Sequence, residues 1–300
     1  MTDVAPHGGP PPWINPAMQA HIPWRKDDIV IAVPPKSGTT WTMNIVYQLL
    51  MGGRTDFADI YAEVPWIEFV SRPGMPAEEL LTRLDRQPRN RPRAFKTHSA
   101  PPTLPYQAPS TGVRYIVVAR NPEEAIVSMR PFMAQHSDAL LAAWGIPRAA
   151  IEFPDFDSYY RGFVDAMGFH FGLFAFLTAW WPLRHESNVL FIHFNDMKRD
   201  LAASVERIAK FLGIVPTAAQ WPSILEYTSF AWMKQHDVKF DGLSAEIPPI
   251  KPGAMVRNGR AGSAQEEGVT AEYAARIRAV GETLCQDAAA LRWFYAGGAI

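Results

Sequence analysis

The sequence contains a single cysteine, Cys285, among 300 residues. A lone thiol cannot form an intrachain disulfide, and it excludes a metal site built from several cysteines. An excess of charge is also absent, because the net charge is −1 at pH 7 and charged residues make up only 20% of the chain. Nucleic-acid-binding domains usually carry a basic surface, so no nucleic-acid partner is expected. Any anion site must therefore be built locally from a few residues.

Long apolar runs and targeting signals are missing as well. The most apolar stretch, residues 167–181, is interrupted by His170 and Thr178 and is followed by Pro182. It is shorter than the roughly 20 residues that span a membrane, so we expect a helix of the core and no transmembrane segment. The proline- and glycine-rich N-terminus has neither the basic nor the apolar region of a signal peptide. A cytoplasmic protein is expected.

The chain does contain an alternation of apolar runs and helical patterns. Four runs rich in Val, Ile and Phe predict buried strands at residues 29–33, 94–97, 115–119 and 189–194. Helical patterns follow the first, third and fourth runs at residues 40–51, 122–133 and 202–212. This alternation predicts an α/β fold with a P-loop-like central parallel β-sheet flanked by helices on both faces. We expect an N-terminal arm over residues 1–24 and a single domain over residues 25–300.

Two long segments fit no regular element. Residues 134–157 mix proline, glycine and aromatic residues, and residues 237–267 carry four glycines, at positions 242, 253, 259 and 262. Loops of this length in a compact domain often have a function of their own. Since ligands of open α/β sheets bind at the carboxyl ends of the strands, we expect both segments to be long lid loops over a site at that edge.

A polar loop lies between the first predicted strand and the helix that follows it. We call residues 35–41 the anion loop; its sequence is Pro35-Lys36-Ser37-Gly38-Thr39-Thr40-Trp41. A strand–loop–helix arrangement directs free backbone N–H groups and the positive end of a helix dipole at one place. In the Walker A loop of kinases and NTPases the lysine follows the last glycine, whereas Lys36 precedes Gly38. The loop therefore predicts an anion site that differs from a Walker A site.

Further segments carry cations or a histidine beside predicted strand ends. Arg120 follows the third strand, with Ser128 two turns into the next helix, and arginine suits bidentate phosphate contacts. Taken alone, an arginine after a strand is more often a surface charge. Lys96, Thr97 and His98 end the second strand, where a neutral imidazole suits proton transfer near pH 7.

Together these segments resemble the PAPS-dependent sulfotransferases of the cytosolic type, with this chain as a bacterial-like member. The anion loop resembles the family's 5′-phosphosulfate loop, and Val118-Ala119-Arg120-Asn121-Pro122 with Ser128 resembles its 3′-phosphate motif. The remaining matches are Lys96-Thr97-His98, Phe194-Asn195-Asp196-Met197-Lys198, Thr228-Ser229-Phe230 and Arg257-Asn258-Gly259-Arg260-Ala261-Gly262. They occur in the family's order from residue 35 to residue 262. Asn258 stands where the family usually has lysine, and Phe194 stands where it has tyrosine.

The resemblance implies a role for each matched residue. PAPS would be the sulfuryl donor, PAP the product, and no metal would take part. The residues expected to bind the 5′-phosphosulfate and pack on the adenine are Lys36, Ser37, Gly38, Thr39, Thr40 and Trp41. Those expected at the 3′-phosphate and around the base are Arg120, Ser128, Arg257, Asn258, Gly259, Phe194, Thr228, Ser229 and Phe230. His98 would be the general base, and Lys36 and Lys96 would stabilise the developing charge.

The acceptor implied by the resemblance is a small-molecule alcohol or phenol. The many aromatic residues favour an apolar or lipid-like acceptor of the phenol, steroid or glycolipid type, and residues 66–69 and 101–109 are expected to line its pocket. Two alternatives remain at this point: a P-loop-type kinase or NTPase, and a non-catalytic module that binds PAP or another nucleotide. A homodimer is compatible with the sequence, although the family's C-terminal dimer motif has no counterpart between residues 262 and 273.

Overall fold

The structure is a computed structural model that describes residues 10–257, 259 and 262–300. Within these residues four strands form one sheet: β1 (Ile29–Ala32), β2 (Ala94–Thr97), β3 (Arg114–Ala119) and β4 (Val189–His193). Their order in the sheet is β2-β1-β3-β4, and every neighbouring pair is parallel. Apart from Arg114, every strand residue is buried, because helices cover both faces of the sheet.

Thirteen α-helices occur in the described part of the chain. They are α1 (Thr39–Met51), α2 (Ile60–Glu63), α3 (Ala77–Asp85), α4 (Pro122–Met133), α5 (Asp138–Ala143), α6 (Phe156–Tyr159), α7 (Phe169–Trp180), α8 (Phe194–Arg199), α9 (Leu201–Leu212), α10 (Gln220–Thr228), α11 (Phe230–Gln235), α12 (Ala271–Leu284) and α13 (Ala288–Ala296). One core cluster joins one face of the sheet to α4, α7, α12 and α13, and a second joins the other face to α1, α9 and α10. The predicted α/β fold with helices on both faces is confirmed.

The predicted elements around the sheet lie within one residue of the observed ones at each end. The strands could be predicted because buried parallel strands are short uninterrupted apolar runs. The helices have clear end signals. The side chain of Asn121 caps α4 by accepting the N–H of Glu123 at 2.9 Å, with Pro122 in the first turn. The C-terminal end of α9 is marked by Gly213, which has a φ of 69°.

Helix α7 is part of the core, as the apolar stretch at residues 167–181 predicts. Phe174 and Trp180 are completely buried in it. Among the described residues no single helix is long and apolar enough to cross a membrane. Only the segments Phe156–Asp165 and Phe169–Leu183, bent by 50° relative to each other, meet that criterion when they are taken together.

The two predicted lid loops differ in structure. Residues 134–157 contain α5 and the start of α6, because Ser137 and Asp155 cap these helices and Leu140 and Leu141 are buried. Such short helices show too little periodicity to be detected in the sequence. The described residues of 237–267 contain a 3-10 turn, Asp237–Phe240, and otherwise follow an irregular path. The buried carboxylate of Asp241 fixes this path by accepting the N–H groups of Gly253 at 2.5 Å and Met255 at 3.1 Å.

Candidate active site

The segments that follow the four strands meet at the carboxyl edge of the sheet, where they line a cavity of about 1200 Å³. The anion loop follows β1, His98 follows β2, Arg120 follows β3 and Phe194 follows β4. Parts of both long segments, 134–157 and 237–267, also line this cavity. The site therefore lies where the parallel topology predicts it.

The backbone of the anion loop is shaped for close approach. Lys36 has a φ of 66° and Gly38 a φ of 97°, so the chain turns sharply before α1 begins at Thr39. A Cβ atom on Gly38 would lie 2.9 Å from the ring of Phe194, so only glycine fits there. The first N–H groups of α1 lack partners within the helix, and Gly38 offers no side-chain cap. Ser37 is completely buried, and its Oγ has no hydrogen bond among the described residues.

The positive charges of Lys36, Arg120 and Arg257 meet at the anion loop. Lys36 Nζ lies 3.8 Å from the centre of the Phe132 ring. Burial, together with the charges of Arg120 and Arg257, lowers the pKa of Lys36 to about 7. A cluster of positive charge at free helix N–H groups fits an anion with more than one negative group.

Arg120 is buried and holds two parts of the site together. Its Nη1 donates to the carbonyl of Lys36 at 3.1 Å, and its Nη2 donates to Glu124 Oε2 at 3.1 Å. The guanidinium lies over the ring of Phe194, 4.5 Å from the ring centre. Ser128, on α4, lines the same cavity. Arg120 thus lies beside the anion loop, and both residues matched to the 3′-phosphate motif reach the cavity.

Arg257 and Gly259 line the same cavity. The carbonyl of Gly259 accepts a hydrogen bond from Lys198 Nζ at 2.7 Å, and a Cβ on Gly259 would lie 2.6 Å from the Phe230 ring. Arg257 lies near Glu267, with 3.8 Å between Nη2 and Oε2. Asn258, which was predicted to bind the nucleotide, lies outside the described residues.

The residues predicted around the adenine separate into two groups. Trp41 and Phe194 line the cavity, with ring centres 5.7 Å apart in an edge-to-face arrangement, and the half-exposed Phe230 joins them. Thr228 and Ser229 do not line it. The Thr228 carbonyl accepts the Trp41 indole N–H at 2.7 Å, and the Ser229 side chain caps α11.

Three of the predicted binding residues, Ser37, Thr228 and Ser229, are therefore not part of the cavity wall. The side chain of Ser37 is buried within the anion loop, and the hydroxyl of Thr228 is bonded to the carbonyls of its own helix, at 2.7 Å for Ile224. The backbone carbonyl of Thr228 holds the indole of Trp41. Any contact of their side chains with a nucleotide stays a prediction.

His98 is held in one tautomer by hydrogen bonds to both ring nitrogens. Its Nδ1 lies 2.5 Å from the carbonyl of Val33, which can only accept, so the proton is on Nδ1. Lys96 Nζ donates to Nε2 at 2.8 Å and lies 3.2 Å from the centre of the Trp66 ring. Burial and the charges of Lys96 and Lys36 lower the pKa of His98 well below 6.5. The imidazole is therefore neutral and able to accept a proton.

Two functional candidates had no sequence signal of their own. The buried Glu68 accepts hydrogen bonds from the residues that end β2, and a glutamate is rarely buried without a partner. His136 lies between the rings of Trp13 and Phe132, at 5.4 Å and 5.2 Å between ring centres. Neither belongs to a motif, and both reach the cavity through segments that are distant in the sequence.

Beyond His98 the cavity wall becomes apolar. Trp66 and Phe69 stack with 5.3 Å between their ring centres, as expected for the pocket wall. The further apolar residues on this side are Trp13, Ile14, Phe132, Leu140, Ile146, Ile151, Phe163, Phe169, Leu173 and Ile250. The prediction that residues 101–109 line the pocket is wrong. This segment returns to the amino edge of the sheet, where the hydroxyl of Tyr106 donates to Asn188 at 2.7 Å.

Comparison with known proteins decides the family. The profile described as "Sulfotransferase domain" matches residues 26–288. The chain belongs to the sulfotransferase family. The enzyme class predicted from the sequence is thereby confirmed.

Relatives and solved structures agree with this assignment. Sulfotransferase 1A1 of Rattus norvegicus is 31% identical over 262 residues, which cover 83% of this chain and 84% of that protein. Sulfotransferase 1E1 of Mus musculus is 28% identical over 240 residues, with coverage of 78% and 76%. A crystal structure of mouse sulfotransferase SULT7A1 complexed with PAP superimposes with a TM-score of 0.70 at 20% identity, covering 94% of this chain and 93% of that one. That likeness shows the shared fold.

Proposed function

We propose that this sulfotransferase takes a sulfuryl group from PAPS, bound in the cationic half of the cavity, and transfers it to a hydroxyl group of an acceptor bound in the apolar half. The observation that carries the proposal is the continuity of the cavity. One space joins the anion loop to the aromatic wall, and His98 lies between the two. Its volume of about 1200 Å³ exceeds the range of roughly 300–1,000 Å³ for one small ligand.

The donor half has the groups that a nucleotide with two separate phosphate positions needs. We assign the 5′-phosphosulfate to Lys36, Gly38 and the free N–H groups of Thr39 and Thr40. We assign the 3′-phosphate to Arg120, Ser128 and Arg257. The convergence of the Lys36, Arg120 and Arg257 charges supports this division. The mouse neighbour SULT7A1 was crystallised with PAP, the product that the proposed reaction would leave in this half.

In the proposed reaction the acceptor hydroxyl gives its proton to His98 Nε2 as its oxygen forms a bond to sulfur. The bond between sulfur and the phosphate oxygen of the donor breaks, and PAP leaves as the anion. Lys36 and Lys96 stabilise the charge that develops on the oxygens. Because Lys96 Nζ is bonded to Nε2 in this structure, it must turn toward the sulfuryl oxygens before the acceptor can use that nitrogen.

The acceptor side favours an apolar or lipid-like hydroxyl compound of the phenol, steroid or glycolipid type. Its walls are largely aromatic and aliphatic, and the polar residues that line the cavity around His98 include Lys96, Glu68 and Ser99. A charged or strongly hydrated acceptor would lose its hydration in such a space without equivalent partners. A cytoplasmic location stays a prediction.

A phosphoryl-transfer activity has less support. Lys36 lies before Gly38, and Arg120 and Arg257 lie where a second phosphate group would bind, which ATP does not have. A binding module without catalysis would have no need for a histidine that lines the cavity with its tautomer fixed.

The test is transfer of label to a panel of acceptors. ³⁵S-labelled PAPS is incubated with phenols, sterols and glycolipids, and products are separated by chromatography, with the His98→Ala variant as the background control. We expect labelled product from at least one apolar hydroxyl compound with the native protein and almost none with the variant. Transfer of ³²P from γ-labelled Mg²⁺-ATP, with no transfer of ³⁵S, would contradict the proposal.

A further inference from the structure

The buried carboxylate of Glu68 lies beneath the two residues that the proposed reaction uses at the end of β2. Its Oε1 accepts the backbone N–H of His98 at 2.8 Å and the hydroxyl of Thr97 at 3.1 Å. Thr97 Oγ1 in turn accepts the N–H of Ser99 at 2.9 Å. Glu68 is only 1% exposed. One side chain therefore fixes the path of the backbone through Thr97, His98 and Ser99.

The second carboxylate oxygen has a different role. Oε2 is buried and has no hydrogen-bond partner among the described residues. A buried oxygen of this kind is costly unless a nearby charge favours it. Burial raises the pKa of Glu68, and the charge of Lys96, followed by the Trp66 side chain and the His98 N–H, opposes that shift. Burial likewise lowers the pKa of Lys96 well below its usual value, and the charge of Glu68 opposes that shift.

The charge distribution around His98 explains why a carboxylate is needed there. Lys96 and Lys36 both disfavour a proton on the imidazole, and burial acts in the same direction. A general base must nevertheless hold a proton while the acceptor oxygen attacks. The ionisable groups that act on one another here are Lys96, His98, Glu68 and Lys36, and Glu68 is the acid among them.

We propose that Glu68 is a positioning residue that orients His98 through the backbone and supplies the negative charge against which His98 becomes protonated during transfer. The arrangement differs from a Ser-His-Asp triad, because the carbonyl of Val33, rather than a carboxylate, accepts the hydrogen bond from His98 Nδ1. The carboxylate of Glu68 acts instead through Lys96 and the His98 amide. This inference rests on the proposed role of His98 as the base.

The substitution that tests it is Glu68→Gln. The glutamine keeps an oxygen that can accept from His98 N–H and Thr97 Oγ1–H, and it removes the charge. We expect kcat to fall at least roughly tenfold, which corresponds to about 1.4 kcal/mol in the barrier. The Kd for PAP, measured by calorimetry, is expected to change by less than about twofold. The acid limb of the kcat profile should move to lower pH, because the protonated His98 has lost its negative neighbour.

The conservative variant Glu68→Asp provides the matched comparison. It keeps the charge and shortens the side chain, so its acid limb should stay at the native pH even though kcat falls. If Glu68→Gln does not fold, as judged by circular dichroism, Glu68→Asp carries the test by itself, and an acid limb displaced from the native pH would overturn the inference. In a folded Glu68→Gln protein, a native kcat and an unmoved limb would overturn it as well.

His98→Ala in the same assays separates the two claims. If His98→Ala turns over normally, the proposed base is wrong whatever Glu68 does. If His98→Ala is inactive while Glu68→Gln is normal, only the role of Glu68 is wrong. A loss of PAP affinity in Glu68→Gln that matches its loss of kcat would indicate a general distortion of the site, and it would also contradict the positioning role.

Discussion

The two halves of the cavity are built in different ways. The donor half is assembled from short segments that each follow one strand, and its main features are backbone N–H groups and cations such as Lys36 and the buried Arg120. The acceptor half is assembled from segments far apart in the chain, including the arm residue Trp13, and its walls are apolar. The donor half is suited to hold one kind of anion. The shape of the acceptor half can change through substitutions that leave the sheet unchanged.

This difference predicts that the two halves respond independently to substitution. Changes in the donor half should alter nucleotide binding, and changes in the acceptor wall should alter only the acceptor's KM. His98 lies at the boundary, so its loss should affect turnover and neither binding step.

The largest expected effect is that of His98→Ala. Loss of the proposed base should lower kcat by roughly 10²- to 10⁴-fold, the usual contribution of a positioned acid or base. The Kd for PAP should stay near its native value, because no donor-binding residue is removed. Turnover is measured with ³⁵S-labelled PAPS and binding by calorimetry. Near-native turnover would remove His98 from the mechanism.

The native pH profile adds a second check on His98. Burial and the charges of Lys96 and Lys36 lower its pKa, and it must be unprotonated to act as a base. Activity should therefore persist as the pH falls past 6.5, where an ordinary imidazole becomes protonated. An acid limb in kcat/KM above pH 6.5 would contradict this environment.

Arg120→Ala should have the next largest effect, confined to the donor half. We expect the Kd for PAP to rise by about 10- to 100-fold, which corresponds to a hydrogen bond to a charged group. The Kd for 5′-AMP, which lacks the 3′-phosphate, should change much less, and so should the acceptor's KM. Because Glu124 loses a buried partner, unfolding is monitored in parallel. An equal loss of affinity for PAP and 5′-AMP would contradict the 3′-phosphate assignment.

The pH dependence of PAP binding tests Lys36. Its pKa is about 7 in the free protein, so it is mostly neutral at pH 8.5, and a bound phosphate should raise that pKa. Binding above pH 7 should therefore take up a proton, and PAP affinity should weaken by up to about tenfold per pH unit. Calorimetry in buffers of different ionisation enthalpy measures the uptake. Lys36→Arg, which stays charged, should lose most of this dependence; an unchanged slope would rule out Lys36 as its source.

Trp13→Ala should have the smallest effect, confined to the acceptor half. Removal of its ring from beside His136 should raise the KM of an apolar acceptor by about three- to tenfold, as expected for partial loss of a buried apolar contact. The Kd for PAP should not change, and Trp13→Phe should retain most of the native KM. A weaker affinity for PAP in Trp13→Ala would show that the halves are coupled.

The same difference explains what the sequence could predict. Lys36, Gly38, Arg120 and His98 lie next to strand ends, and parallel strands bring those ends together. Their proximity could therefore be predicted from the short sequence segments around each strand end. The four strands could be recognised for the same reason, since each is a short buried apolar run.

The acceptor half could not be read in this way. Glu68, His136 and Trp13 meet through tertiary packing, with no periodic pattern or motif to mark them. Residues 101–109 follow His98 directly, yet they pack at the opposite edge of the sheet. Sequence position therefore predicted which residues lie at the site when they directly follow a strand. It did not predict the positions of residues in segments that leave the sheet.

The central claim is that one hydroxyl reaches His98 while PAP occupies the donor half. A crystal structure with PAP and an acceptor from the labelled panel tests this directly. We predict that the acceptor oxygen lies within about 2.6–3.2 Å of His98 Nε2, with Lys96 Nζ turned away from that nitrogen. An acceptor bound with its hydroxyl far from His98, or a PAP molecule bound outside the anion loop, would contradict the account.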